Sequence, residues 1–157
     1  MVFTGSEKRN VVLRTVLHYF GNICITYIEM SDGTLFPAKV SIRGKHVVVN
    51  GHVFYIHNVA GDGDCLFHCF NESDDSNQKK GADFYRRITN TPEGEWGNHE
   101  SIYKYVSLFK KNVCVVIPGK SNSFVEIYTY KRRNSTIVND EIVLLFRYNH
   151  FDLLKRE

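Results

Sequence analysis

The chain has 157 residues and a formal charge of +3, enough for one domain whose core needs no disulfide staples. A hydrophobic fraction of 43% and a charged fraction of 24% are those of an ordinary globular protein. So slight and dispersed a charge argues against nucleic acid as a partner, and no apolar run approaches the ~18 residues of a membrane span. The cysteines (Cys24, Cys65, Cys69, Cys114) have no C-x-x-C or framework spacing, and Met1–Asn10 has no secretory pattern. Free thiols in a reducing, cytoplasmic compartment are expected.

Residues 11–20 are apolar and ambiguous between helix and strand, with the preference going to helix. From Cys24 the pattern is β. Cys24–Met30 is followed by a Ser31-Asp32-Gly33 turn, then by Leu35–Ile42, where Pro37 suggests an edge strand. Arg43-Gly44-Lys45 turns the chain again, and His46–Val49 and Val53–Ile56 flank Asn50-Gly51, a strong hairpin signal. The first third of the chain, β from Cys24 on, therefore reads as an antiparallel meander that leads into the loop Gly61-Asp62-Gly63-Asp64 and then Cys65.

Leu66, Cys69 and Phe70 have helical spacing, with Asp64 as N-cap. Residues 71–81 read as an exposed loop. Ala82–Ile88 is a short helix with Phe84 and Ile88 inward, and Asn98 caps a helix through Lys111 that buries Ile102, Val106 and Phe109. Val113–Ile117 suits an internal strand, Phe124–Tyr130 another, and Lys131–Asp140 is a polar connection. Its Lys131-Arg132-Arg133 is the one basic cluster, read as a solvated loop. Glu141–Tyr148 has the continuous apolar run of a fully covered strand and delivers His150 at its end.

The chemistry converges on Cys65. A thiol at a helix start is biased toward thiolate by the backbone N–H groups there, and Gly61 and Gly63 permit a backbone that turns N–H groups toward an oxyanion. His150 and Asp152 lie on one side of an extended segment, so the carboxylate can orient the imidazole while its other nitrogen faces the thiol. Asp62 either orders the loop or contacts the imidazole, and spacing leaves both open. Cys69, one turn on from Cys65, and Cys24 and Cys114 read as packing. No His-x-x-x-His or Cys/His cluster suggests zinc, so neither metal nor organic cofactor is expected.

Asp62-Gly63-Asp64-Cys65-Leu66-Phe67 resembles the signature of the ovarian tumour (OTU) family of cysteine proteases, most of them deubiquitinases. Trp96-Gly97, the helix near 99–110, Val113–Ile117 and His150-Phe151-Asp152 follow in that family's order, so the resemblance covers Val59 to Leu154. It implies an α/β (α+β-like) OTU-type fold: a central mixed sheet flanked by helices, with residues 1–57 as an N-terminal β extension on a 58–157 catalytic core, all within one domain. It also implies Cys65 as nucleophile, His150 as base and Asp152 as orienting acid. Asp62 would belong to the oxyanion loop, with Gly63 and Cys65 as N–H donors. The partner would be ubiquitin or a ubiquitin-like protein, its tail extended between the Gly61–Cys65 loop and Asn149–Phe151.

Two departures stand out. His68 occupies a position where cellular members more often carry arginine, and the cysteine-to-histidine interval, 150 − 65 = 85 residues, is compact. A compact core with an N-terminal β extension is similar to OTU proteases excised from viral polyproteins, which implies the host cytoplasm, a monomer, and a polyprotein junction as a possible further substrate. The alternatives are a catalytically silent ubiquitin-binding module and a papain-like leader protease.

Overall fold

The computed structural model describes residues 12–20, 23–49, 51–74, 79–109, 111–119, 124–131 and 141–156. The expectations for Met1–Asn10, for Arg132 and Arg133 and for most of the 131–140 connection lie outside them. Nine strands and three helices follow in chain order among the described residues: β1 (Val12–Phe20), β2 (Ile23–Met30), β3 (Leu35–Arg43), β4 (His46–Val49), β5 (His52–His57), α1 (Cys65–Glu72), α2 (Ala82–Ile88), α3 (His99–Phe109), β6 (Asn112–Pro118), β7 (Phe124–Tyr130), β8 (Glu141–Arg147) and β9 (His150–Arg156).

The strands form one mixed sheet in the order β1-β2-β3-β4-β5-β9-β8-β6-β7, and β7 pairs back onto β2 and β3. The sheet therefore closes on itself, with β1 alone outside the ring. Only β6 and β8 are parallel. The meander of the first third is hydrogen-bonded to the rest on two sides, through β5–β9 and through β2 and β3 onto β7.

Two apolar clusters occupy the two faces. Val47, Phe54, Val116, Val143 and Leu145 fill the inside of the ring. Val113, Val115, Ile142, Leu144 and Leu153 face the helices. Strict alternation along β6 and β8 supplies both, so the continuous apolar runs are strands covered on both sides. On the helix face, Phe70 stacks on Tyr105 with centroids 3.9 Å apart, and each ring so buried contributes about 1.5–3 kcal/mol.

Several expectations are corrected. Residues 12–20 are a strand, not a helix, because β2 offers a full antiparallel partner from Phe20↔Ile23 to Val12↔Met30 and non-local pairing decides an ambiguous pattern. β3 is not an edge strand, although Pro37 itself is paired on one side only, with Tyr27 of β2. β3 pairs with β2 through Leu35–Pro37, with β7 at Ala38 and Lys39, and with β4 from Val40, so the proline sits where one partner gives way to the next. In α2 the buried residues are Tyr85 and Arg86, with Phe84 and Ile88 only partly covered. The 71–81 loop is shortened by α1, which runs to Glu72. Asn98 does start α3: its Oδ1 accepts from the Ser101 amide at 3.1 Å, and its own amide donates to Ser101 Oγ at 3.2 Å.

Candidate active site

The loop after β5 delivers Cys65 at the first position of α1. That helix is buried almost all round, at Cys65, Leu66, Phe67, Cys69 and Phe70, because it lies between β9 and α2. Asp64 stands at the N-cap but its side chain caps nothing, which corrects the expected role. Its carboxylate is taken by Arg86 of α2, through Nε at 2.8 Å and through Nη2. The same guanidinium donates to the carbonyls of Pro92 (2.6 Å), Glu95 (2.7 Å) and Gly63 (3.3 Å) and lies over the Phe67 ring. One buried cation thus ties the cysteine loop to the 92–95 turn and to the underside of α1.

That turn carries Trp96 and Gly97. A methyl group on Gly63 would lie 3.5 Å from Trp96 Cδ1 and Nε1, so the indole covers the loop while remaining 58% exposed. Gly97 is pressed onto Leu66, where a Cβ would come within 2.5 Å of Cδ2. Buried hydroxyls of Thr89, Thr91 and Ser101, linked at 3.0 and 2.8 Å, fix the same segment between α2 and α3.

Asp62 orders the loop, and the imidazole it meets is that of His68. Its Oδ1 accepts the Asp64 amide at 2.9 Å, and its two oxygens lie 3.1 Å from His68 Nε2. The Asp64 amide first, and His68 second, hold the Asp62 carboxyl below its ordinary value.

His150 does not end β8; it begins β9, across a tight turn. Tyr148 and Asn149 form that two-residue turn, both at φ 55°, and the closing pair is Arg147↔His150. Asp152 lies on the same side of β9, 2.8 Å from His150 Nε2, and its Oδ1 also accepts the Val59 amide at 3.1 Å. Facing a carboxylate, Nε2 carries the proton, and Nδ1 is left as the basic nitrogen.

The two segments meet at Phe151. Its carbonyl accepts from Cys69 Sγ at 3.6 Å, and Cys65, one helical turn before Cys69, packs in the same buried cluster as Phe151. Burial pushes the Cys65 thiol above its usual value, the N–H groups of Phe151 and Leu66 oppose this, and the Asp62 charge adds to the rise. The N–H groups at the helix start bias the thiol toward thiolate, as the sequence suggested, but burial outweighs them. The proton must leave for a base. Phe151 was expected at the substrate; its side chain is buried, with its ring 4.6 Å from that of Phe146. Asn149 is exposed in the turn.

Among solved structures, the viral OTU domain protease from Taggert virus matches with a TM-score of 0.63 at 15% identity, over 92% of this chain and 95% of that one. The fold is that of an OTU domain. The Qalyub virus OTU domain protease matches at 0.62 and 15%, over 92% of this chain and 100% of that one. The Hazara virus OTU bound to ubiquitin matches at 0.60 and 14%, over 91% and 96%. No protein-family model matches the sequence. No curated protein matches it either.

Three features of this OTU fold were not foreseen from sequence. Arg86 carries no local signal, since an arginine in a short amphipathic helix reads as solvated. The Val59 amide on Asp152 depends on a 93-residue separation. Tyr148 escaped notice because nothing marks a Tyr-Asn pair as a tight turn. Among the described residues no group of three or more His, Cys, Asp or Glu could hold a metal, and no helix is long and apolar enough to cross a membrane.

Proposed function

We propose that the chain is a thiol hydrolase that cleaves the bond after the C-terminal glycine of ubiquitin or a ubiquitin-like modifier. The observation that supports this is the packing of α1 on β9 at Phe151, whose carbonyl accepts from Cys69 Sγ one turn after Cys65, while Asp152 holds His150 Nε2. Cys65 Sγ attacks the glycine carbonyl and His150 Nδ1 takes the thiol proton. The carbonyl oxygen, now negative, is met by the N–H groups of Cys65 and Gly63 in the loop that Asp62 orders. Collapse expels the lysine ε-amine, which receives that proton from His150, and leaves a thioester on Cys65. Water, deprotonated by His150, then releases the modifier and restores the thiol.

Viral OTU domain proteases align with more than nine-tenths of this chain, which favours a viral source, and with it action as a monomer in the host cytoplasm. A polyprotein junction is a further substrate of the same chemistry. The burial of Cys65, which is 7% exposed, favours a second reading, a silent binding module.

Intact-mass spectrometry after mixing with ubiquitin bearing a C-terminal thiol-reactive warhead separates them. One adduct on wild type and none on Cys65→Ala is expected. Binding without an adduct on folded protein would support the silent module. Turnover should vanish in Cys65→Ala and nearly vanish in His150→Ala, while Asp152→Ala keeps residual activity, because an orienting group matters less than the base it orients. Equal, total loss in all three would refute that ranking.

A further inference from the structure

Tyr148 is the most exposed large hydrophobic side chain among the described residues, at 86%. Its backbone is at φ 55°, a region where a bulky side chain is disfavoured and where glycine or asparagine would sit without strain. No packing compensates: the ring's neighbour is the Arg147 guanidinium, 5.5 Å from its centroid. An aromatic kept in a strained turn, facing water, is an outlier that points to function. Its place sharpens the point. Arg147 and His150 close the β8–β9 turn, so Tyr148 stands at the tip directly outside the candidate catalytic histidine.

Trp96, the other strongly exposed aromatic at the cleft, differs. It lies against Gly63 and so forms a wall at the level of the loop. A narrow, extended glycine tail passing between loop and hairpin would run along that wall. Tyr148, 86% exposed at the tip of the β8–β9 turn, is open to a body wider than an extended tail.

Resting on the hydrolase reading above, we propose that Tyr148 is a specificity residue that docks an apolar patch on the folded body of the modifier whose tail enters the cleft. The exposed ring supplies rigid contact area at little entropic cost, as aromatic anchors do at interfaces. Removing it relieves backbone strain, so stability and recognition move in opposite directions.

The test compares kcat/KM for ubiquitin carrying a C-terminal coumarin with that for the six-residue ubiquitin tail carrying the same group, in wild type, Tyr148→Asn, Tyr148→Gly and Tyr148→Phe. The ratio of the two values is expected to fall about tenfold or more in the Asn and Gly variants, through KM. Their melting temperatures should be equal to or above wild type, and Tyr148→Phe should keep the ratio. An unmoved ratio would overturn the assignment. So would an equal loss on both substrates through kcat, which would make the turn a support for His150. Wild-type protein that turns over neither substrate would instead sink the hydrolase reading itself.

Discussion

Replacing Arg86 with methionine removes the one buried cation among the described residues, which joins the cysteine loop to its surroundings. The guanidinium is 7% exposed and makes hydrogen bonds to Asp64, Pro92, Glu95 and Gly63. Breaking a buried ion pair from one side costs about 3–5 kcal/mol. The Asp64 side chain is 32% exposed, so water recovers part of its solvation and the figure belongs near the lower end, about 3 kcal/mol. At about 2–4 °C per kcal/mol for a chain of this size, melting should fall by roughly 6–12 °C. Removing both partners, as Arg86→Met with Asp64→Asn, should cost less than the sum of the single changes by about 1–3 kcal/mol. Activity assayed well below the melting transition should still fall about tenfold, because the loop bearing Gly63 loses its tether. Differential scanning calorimetry and a ubiquitin–coumarin assay measure both quantities. A melting change under about 2 °C, or strict additivity of the pair, would show that Arg86 is a bystander.

Gly97→Ala drives a methyl group to within 2.5 Å of Leu66 Cδ2 and 2.8 Å of its Cβ, beside Cys65 in the first turn of α1. A loss of about 1–3 kcal/mol in urea unfolding is expected, and an unchanged midpoint would mean that the 92–97 turn yields freely. For Cys65, burial raises the thiol pKa, so iodoacetamide should alkylate it slowly at neutral pH and faster as pH climbs past the ordinary value near 9. A rate flat between pH 5 and 8 in wild type, lost in His150→Ala, would instead reveal a preformed thiolate–imidazolium pair.

How far the sequence carried depended on the range of the interaction. Cys65 at a helix start, and His150 two residues from Asp152, are local patterns set by period and capping chemistry, and both segments formed as read. Which strand held His150 was not local. The apolar run ending at Phe146 looked complete through Tyr148, yet two residues at positive φ reverse the chain there without glycine. Asp64 had the right residue type for a cap, but Arg86, 22 positions away, outcompeted the helix amides for its carboxylate. Residues 12–20 illustrate the same limit, since only a partner strand could resolve their ambiguity. How far burial offsets the helix-start bias at Cys65 was hidden for a related reason: burial is a tertiary quantity, and the dipole of a helix start is a local one.

Closure of the sheet bears on how much of this chain is needed for a working cleft. The strand carrying His150 and Asp152 is zipped along its outer side to His57, Ile56, Tyr55 and Phe54, and β7 is clasped by β2 and β3. A version of the chain starting at Val59 would leave both rims with unpaired N–H and C=O groups, and with the Val116, Val143 and Leu145 surface uncovered. Such rims recruit other chains. The stretch from Val59 onward is therefore not a smaller portable unit: strands β2–β5 act as the hoop around a barrel, and without the hoop the staves holding the histidine are free to find partners elsewhere.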